Sequence, residues 1–316
     1  MTAAFLARRF ATLVATLFAA SVAVFLVLAV LPGKPAQVIL GTQATPESVA
    51  RLTRQLGLDE PLWQQYLHWL RSLVTVNLGD SYISHLPIGH SLAQALGVTA
   101  PLVAFGMAIG VAIAVPFGVA AALLHHRVWG TAITSASQVG VAVPNFIAGI
   151  VLVLVFSVKL GWLPASGFTT WSADPWLAFK SLLLPGIALG AVEGAVISRY
   201  VRSAVLDVLR SDYLRTARAK GLKRRQALVR HGFRNASIPV LTVLGLEIPS
   251  LLVGAVVVEN VFTLPGVGTL LLQAVANRDL IVVQDVVMLI AISVLVVNFL
   301  VDVSYRLLDP RLGALR

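Results

Sequence analysis

No cysteine occurs in the 316 residues, so the chain has no disulfide framework, no thiolate nucleophile and no cysteine metal cluster. That absence leaves the redox compartment open. Charge is scarce too: Asp, Glu, Lys and Arg make up 12% of the chain, with 14 acids against 24 Lys and Arg. Strings that carry nucleotide or hydrolytic chemistry are missing. Gly33-Lys34 is followed by Pro35 and has no upstream glycine at phosphate-loop spacing, and neither H-E-x-x-H nor G-x-S-x-G occurs. The alternation over about ten residues that marks barrel strands is also absent.

What the chain has instead is apolarity. Hydrophobic residues make up 58% of it, the mean hydropathy is +0.87, and weakly charged runs longer than about 18 residues recur. A bilayer offers no water to backbone polar groups, so with barrels set aside the expected class is an all-α integral membrane protein. Spans are expected at 10–31, 98–124, 131–158, 182–198, 236–258 and 280–301, six in all. The first follows Arg8-Arg9. It is too long for a signal core and no small-residue cleavage site follows it, so it reads as an anchor. Prolines 116, 144 and 249 inside the spans predict kinks or broken ends.

Lys and Arg are distributed unequally between the connections. With the N-terminus cytoplasmic, the inner segments hold Arg8, Arg9, Arg127, eleven residues within 199–234, and Arg306, Arg311 and Arg316. The outer ones hold only Lys34, Arg51, Arg54, Arg71, Lys159, Lys180 and Arg278. The asymmetry places both termini in the cytoplasm. The expected organisation is one membrane domain, 1–316, with an external insertion at 32–97 and a basic cytoplasmic segment at 199–235. Within the insertion Thr45 is set to cap a helix before Pro46, and Leu67, Leu70 and Val74 recur at helical spacing, predicting short amphipathic helices at the membrane surface.

The basic segment contains "DYLRTARAKGLKRRQALVRHGFRNASIP", residues 212–239, with eight Lys or Arg and one acid. Ser211 or Asp212 can start a helix that Gly221 ends in the left-handed conformation. Tyr213, Ala217 and Lys220 share one face of it, and Ala217, Ala219 and Gly221 permit close approach by another protein surface. A second helix is expected at 223–235, with Leu228 and Phe233 its large apolar groups. Basic loops also rest on anionic lipid headgroups, which explains the charge but not a capped helix of small residues. Nucleic acid is disfavoured, since no aromatic residues interleave the cations.

"DYLRTARAKG" with "HGFRNASIP" resembles the cytoplasmic coupling motif of permease subunits of ATP-binding-cassette importers, in the dipeptide, oligopeptide and nickel branch. "GLDEPLWQQYLHWL" then "NLGDS", "VPNFIAG" with "LGWLPASG", and "GAVVVENVFTLPGVG" with "NRD" and "DPR" extend the resemblance over nearly the whole chain in the family's order. Arg215, Thr216 and Ala217 stand where the wider importer motif has Glu-Ala-Ala, and Pro239 falls about five residues late. Both features are similar to the peptide branch.

The resemblance implies a six-helix type I importer permease without enzymatic activity of its own. ATP and Mg would be bound by two partner ATPase subunits or domains, one of which receives the helix from Asp212 to Gly221. Ala217 and Gly221 would then set its docking distance, and Arg215, Arg218 and Lys220 its orientation, beside Tyr213 and Thr216. Further implied partners are a second homologous permease, an extracytoplasmic substrate-binding lipoprotein docking on 32–97, and membrane lipid, all in the bacterial inner membrane. The insertion could equally serve only to cover helix ends. The implied cargo is di- or oligopeptides, with glutathione-like and nickel-chelate cargo left open.

Polar residues inside spans are costly, roughly 2.5–3.5 kcal/mol for an ionised carboxylate at mid-bilayer. Glu193 and Glu247 either meet a cationic cargo group or bond neighbouring helices. Glu259 and Asn260 either line an external gate or finish a helix before the Pro265-Gly266 turn. Asn145 is placed to bond backbone freed by Pro144, and Asp302 to pair with Arg306. His125 and His126 adjoin Arg127 and do not read as a metal site. The alternative function is an ion-gradient-driven transporter or channel with the two glutamates as proton carriers, although no inverted repeat accompanies it.

Overall fold

The computed structural model describes residues 3–30, 35–41 and 44–308. Among them the chain is helical apart from its connections and one isolated bridge between Asp80 and Pro87. Helices α1 (Ala3–Val30), α2 (Pro35–Leu40), α3 (Pro46–Gln55), α4 (Leu62–Thr75) and α5 (Ile88–Leu123) are followed by α6 (Val128–Ala142) and α7 (Asn145–Leu152). Then come α8 (Pro175–Arg210), α9 (Asp212–Ala219), α10 (Arg224–Ala227), α11 (Phe233–Val261), α12 (Val267–Ala276) and α13 (Leu280–Leu308). Among the described residues five helices are long and apolar enough to cross a bilayer, and α6 with α7 and the π-helical run Val153–Lys159 forms an apolar pair bent by 98°, a sixth where the pair counts as one span.

Pro144 makes that bend. The residue before a proline is driven out of the helical region, and Val143 is extended at φ −83°, ψ 118°, so α6 stops and α7 starts from a Pro144 N-cap. Pro116 and Pro249 do not break their helices: they lie inside α5 and α11, which run on past them. Each removes one hydrogen bond from a ladder of many, and packing on both flanks holds the rest. The spans also exceed their expected limits. α8 covers 175–210 rather than 182–198, because Asp174 caps it by accepting from the Trp176 and Leu177 N–H groups, and because Lys180 and Arg199 do not end it. Long basic side chains near a span's ends reach back to the interface.

The chain divides into two compact units. One comprises Ala100–Leu264 and the C-terminal part of the chain from Val297; the other comprises Ala4–Thr99 and Pro265–Val296. In the first, α8 is the most buried span. Gly186, Gly190 and Gly194 repeat every four residues along it and meet Phe105, Gly106, Ile109, Gly110 and Ile113 of α5. A Cβ on Gly190 would stand 2.6 Å from both the Gly106 carbonyl oxygen and Ile109 Cβ, so the two backbones touch, as at small-residue interfaces in membranes.

In the second unit Thr45 caps α3 as expected, in a reciprocal box with Ser48. The helical spacing of α4 holds, and a second, aromatic face of it packs inside the unit. Leu67 and Val74 are 51% and 76% exposed, while Trp69 is 7% exposed and packs with Tyr66 and Leu73 against Phe25 and Met288. The aromatic pair offers more area, and the indole N–H has a partner inside.

Gly190→Ala is therefore expected to destabilise the purified protein by about 1–3 kcal/mol, read as a fall in thermal midpoint in detergent. Gly97→Ala, where a Cβ would meet nothing within 4 Å, is the matched control and is expected to leave the midpoint unchanged or slightly raised.

Candidate functional site

The basic segment starts where α8 stops. Ser211 is extended, its carbonyl accepts from the Leu214 and Arg215 N–H groups, and its hydroxyl donates back to the Val208 carbonyl. The backbone of Ser211, not its side chain, thus begins α9, and Asp212 occupies the first turn with Arg215 3.4 Å away. Gly221 follows at φ +93°, the left-handed stop expected of it.

The faces of α9 differ from expectation at Ala217. Leu214 is 0% and Ala217 8% exposed, and both belong to a core cluster with Val208, Ala227 and Leu228, whereas Tyr213 is 41% exposed. Ala217 therefore packs inside this chain and does not set the distance to another protein. Leu214, three residues earlier and larger, fixes which side turns in. Asp212, Tyr213, Arg215, Thr216, Lys220 and Gly221 are exposed; the Arg218 side chain lies outside the described residues. Tyr213 accepts a hydrogen bond from Asn235 Nδ2 at 3.1 Å.

The separate helix expected at 223–235 is also corrected. α10, a π-helical turn at Leu228–Gly232 and α11 form one continuous run from Arg224 to Val261. The cause is burial of Ala227, Leu228 and Gly232, which holds the segment on the core. A Cβ on Gly232 would lie 2.7 Å from Val208 Cγ1 and 2.9 Å from Leu228 Cδ1.

Glu193 and Glu247 come together. Glu193 is buried in α8, Glu247 of α11 lies within interaction range of it, and Ser250 donates to Glu193 Oε1 at 3.3 Å. Glu193 Oε2 has no hydrogen-bond donor among the described residues. Glu259 lies twelve residues beyond Glu247, about 18 Å along the helix, and is fully buried while Asn260 is exposed. The Glu259 carbonyl accepts from the Leu264 N–H at 2.8 Å, which makes it part of a closed helix end. Asn145 opens α7 with its Nδ2 against Gly254, where a Cβ would be 2.7 Å away. His125 Nδ1 bonds the Ala122 carbonyl at 2.8 Å. The Arg306 side chain lies outside the described residues.

The second unit holds a polar cluster that pattern reading missed. Trp69 Nε1 donates to Asp285 Oδ1 at 2.8 Å, Ser81 Oγ donates to Asp279 Oδ2, and the Ile83 and Ser84 N–H groups donate to Ser81 Oγ. Thr99 Oγ1 accepts the first N–H of α12 at 2.8 Å. Both aspartates are buried. Tyr82 lies close by, and burial first, then the Asp279 and Asp285 charges, raise its phenol above the ordinary value of 10.0. One signal was available: Asp285 stands alone in an apolar run, and an acid there needs a partner.

Residues 114–314 match the family model described as binding-protein-dependent transport system inner membrane component, and residues 2–103 match the N-terminal model of the same kind of membrane component. A putative peptide transport system permease protein of Brucella melitensis is 38% identical over 98% of this chain and 99% of its own length. A di/tripeptide transport system permease protein of Pseudomonas aeruginosa is 38% identical over 98% of each chain. A glutathione transport system permease protein of Escherichia coli K12 is 39% identical over 96% of each. Among solved structures, the MetNI methionine ABC transporter matches with a TM-score of 0.56 over 71% of this chain and 98% of that one, at 15% identity, a likeness of fold.

Trp69→Phe leaves buried Asp285 Oδ1 without its donor and is expected to cost about 1–3 kcal/mol in thermal denaturation. Tyr82 carries a pH signature. Its raised folded value means that its contribution is whole below the unfolded value of about 10 and is lost as pH rises through the folded one. Wild type should lose stability more steeply than Tyr82→Phe above about pH 10, and parallel curves would refute the assignment.

Proposed function

Because the chain belongs to the family of binding-protein-dependent transport system inner membrane components, we propose that it works as one of two permeases forming the translocation path of an ATP-driven peptide importer. The names of its relatives favour di- or tripeptide-sized cargo, glutathione included. ATP and Mg sit on two cytoplasmic ATPase subunits, a substrate-binding lipoprotein delivers cargo from outside, and this chain has no catalytic step. It lies in the inner membrane with both termini cytoplasmic, as the Lys and Arg distribution supports.

One observation carries the coupling role. α9 is a two-faced helix: Leu214 and Ala217 anchor it in the core, while Tyr213, Arg215, Thr216 and Lys220 are left exposed. A helix so anchored moves as a rigid body with the bundle, which coupling to a partner with two ligand states requires. The exposed face meets the ATPase, with Arg215 and Lys220 orienting it against acidic groups. Within the insertion, the capped α3 and the aromatic-anchored α4 present a folded surface to the lipoprotein. Glu193 and Glu247 sit between α8 and α11 as a polar bridge rather than as proton carriers.

Gly221→Val tests the reading. A left-handed conformation costs a β-branched residue about 1–2 kcal/mol, equivalent to about a 5- to 30-fold change in population, so substrate-stimulated ATP hydrolysis and uptake by the reconstituted importer should fall together. Membrane insertion should stay at the wild-type level. Uptake that ignores an ATPase-dead partner and stops when the proton gradient collapses would instead favour the gradient-driven alternative.

A further inference from the structure

Eleven Lys and Arg but only Asp207 and Asp212 fall within 199–234, and the exposed face of α9 uses few of the cations. Beyond α9 the segment borders a cavity of about 220 Å³ inside the first unit. Its walls are Val119 and Leu123 of α5, Val201 and Val205 of α8, and Val229 and Phe233 around the π-helical turn, with Ser237 the one polar residue lining it among the described residues. Val229 is 66% and Phe233 57% exposed, so the mouth is open on the most basic stretch of the molecule. Arg230 directly follows Val229, which lines the cavity, and it is exposed and without an acidic partner among the described residues.

We propose that this cavity holds an acyl chain of one anionic phospholipid whose phosphate is bound by Arg230. The shape selects the occupant. A helix is about 10–12 Å across with its side chains and does not fit into 220 Å³, whereas a segment of an alkyl chain, its remainder running on through the open mouth, does. The charge selects the headgroup, since a cation beside an apolar slot fits a lipid carrying both a phosphate and a chain, and the surrounding net positive charge favours anionic over zwitterionic lipid. The burial of Leu228 and Ala236 against the cavity gives the chain a fixed floor. The site is separate from the ATPase-facing surface and depends only on the chain being embedded in a bilayer. It stands or falls independently of the coupling reading.

The test uses the full chain purified with whatever subunits accompany it. Native mass spectrometry after partial delipidation, and titration in phosphatidylethanolamine nanodiscs with rising phosphatidylglycerol, read the occupancy. Wild type should retain phosphatidylglycerol in preference to phosphatidylethanolamine. Arg230→Gln should weaken retention about fivefold, the size expected of one basic residue at an anionic leaflet, and Arg230→Lys should keep most of it. Ala236→Leu, which fills the floor, should abolish retention; should that variant fail to assemble, the exposed Arg230 pair still decides. Equal retention of the two lipids, or no change in Arg230→Gln, overturns the proposal. So does a photo-crosslinker at position 229 that captures a second permease instead of lipid.

Discussion

Direct backbone contact between α5 and α8 is the constraint on which the first unit rests. Lipid tails are as apolar as the side chains, so spans gain little from hiding apolar surface and must be held by close packing and by polar contacts between helices. Gly106 and Gly110 facing Gly190 and Gly194 provide the packing. With α8 held there, Ser198 Oγ donates to Ser137 Oγ of α6 at 2.9 Å and Glu193 accepts from Ser250 of α11. The same helix carries Val205, Val208 and Leu209 into the cluster that seats Leu214 of α9. The position of the short basic helix is thus inherited from the glycine seam through a continuous stack of side chains.

Features that follow from one residue's backbone chemistry were legible in the sequence. Thr45 with Pro46 began a helix, Gly221 ended one, Pro144 broke a span, and apolar runs marked where spans lie. Features that depend on which of two candidate faces turns inward were not. Spacing put Ala217 with Tyr213 and Lys220, but the choice of face was made by Leu214 and by what it meets on α8 and α10, a tertiary fact that no local pattern contains. In α4 the aliphatic series Leu67, Leu70 and Val74 was legible, but the face that packs inside the unit is Tyr66, Trp69 and Leu73, where Asp285, more than two hundred residues away, offers the indole a partner. The π-helical turns left no mark, since a widened turn changes one hydrogen-bond register and not composition. The pairing of Glu193 with Glu247 was equally invisible, because each was conspicuous alone while their meeting depends on how α8 crosses α11.

The inner acids share a style of satisfaction that bears on how such a molecule can move. Glu193 is held by a serine hydroxyl, Asp285 by an indole and Asp279 by a serine, with no Lys or Arg paired to them among the described residues. Breaking a buried ion pair by removing one partner costs about 3–5 kcal/mol, whereas removing the neutral donor of a buried hydrogen bond costs about 1–3 kcal/mol. A transport subunit must exchange internal contacts in every cycle, and neutral donors let it do so without stranding a charge between partners. The cations are kept instead where water and headgroups solvate them. The molecule therefore separates two demands: permanent contacts are made by glycine-lined backbone, which has one close-packed arrangement, and exchangeable ones by single hydrogen bonds from neutral side chains to acids. Ser250 on Glu193 is one such neutral contact, set within the broad packing of α11 on α8.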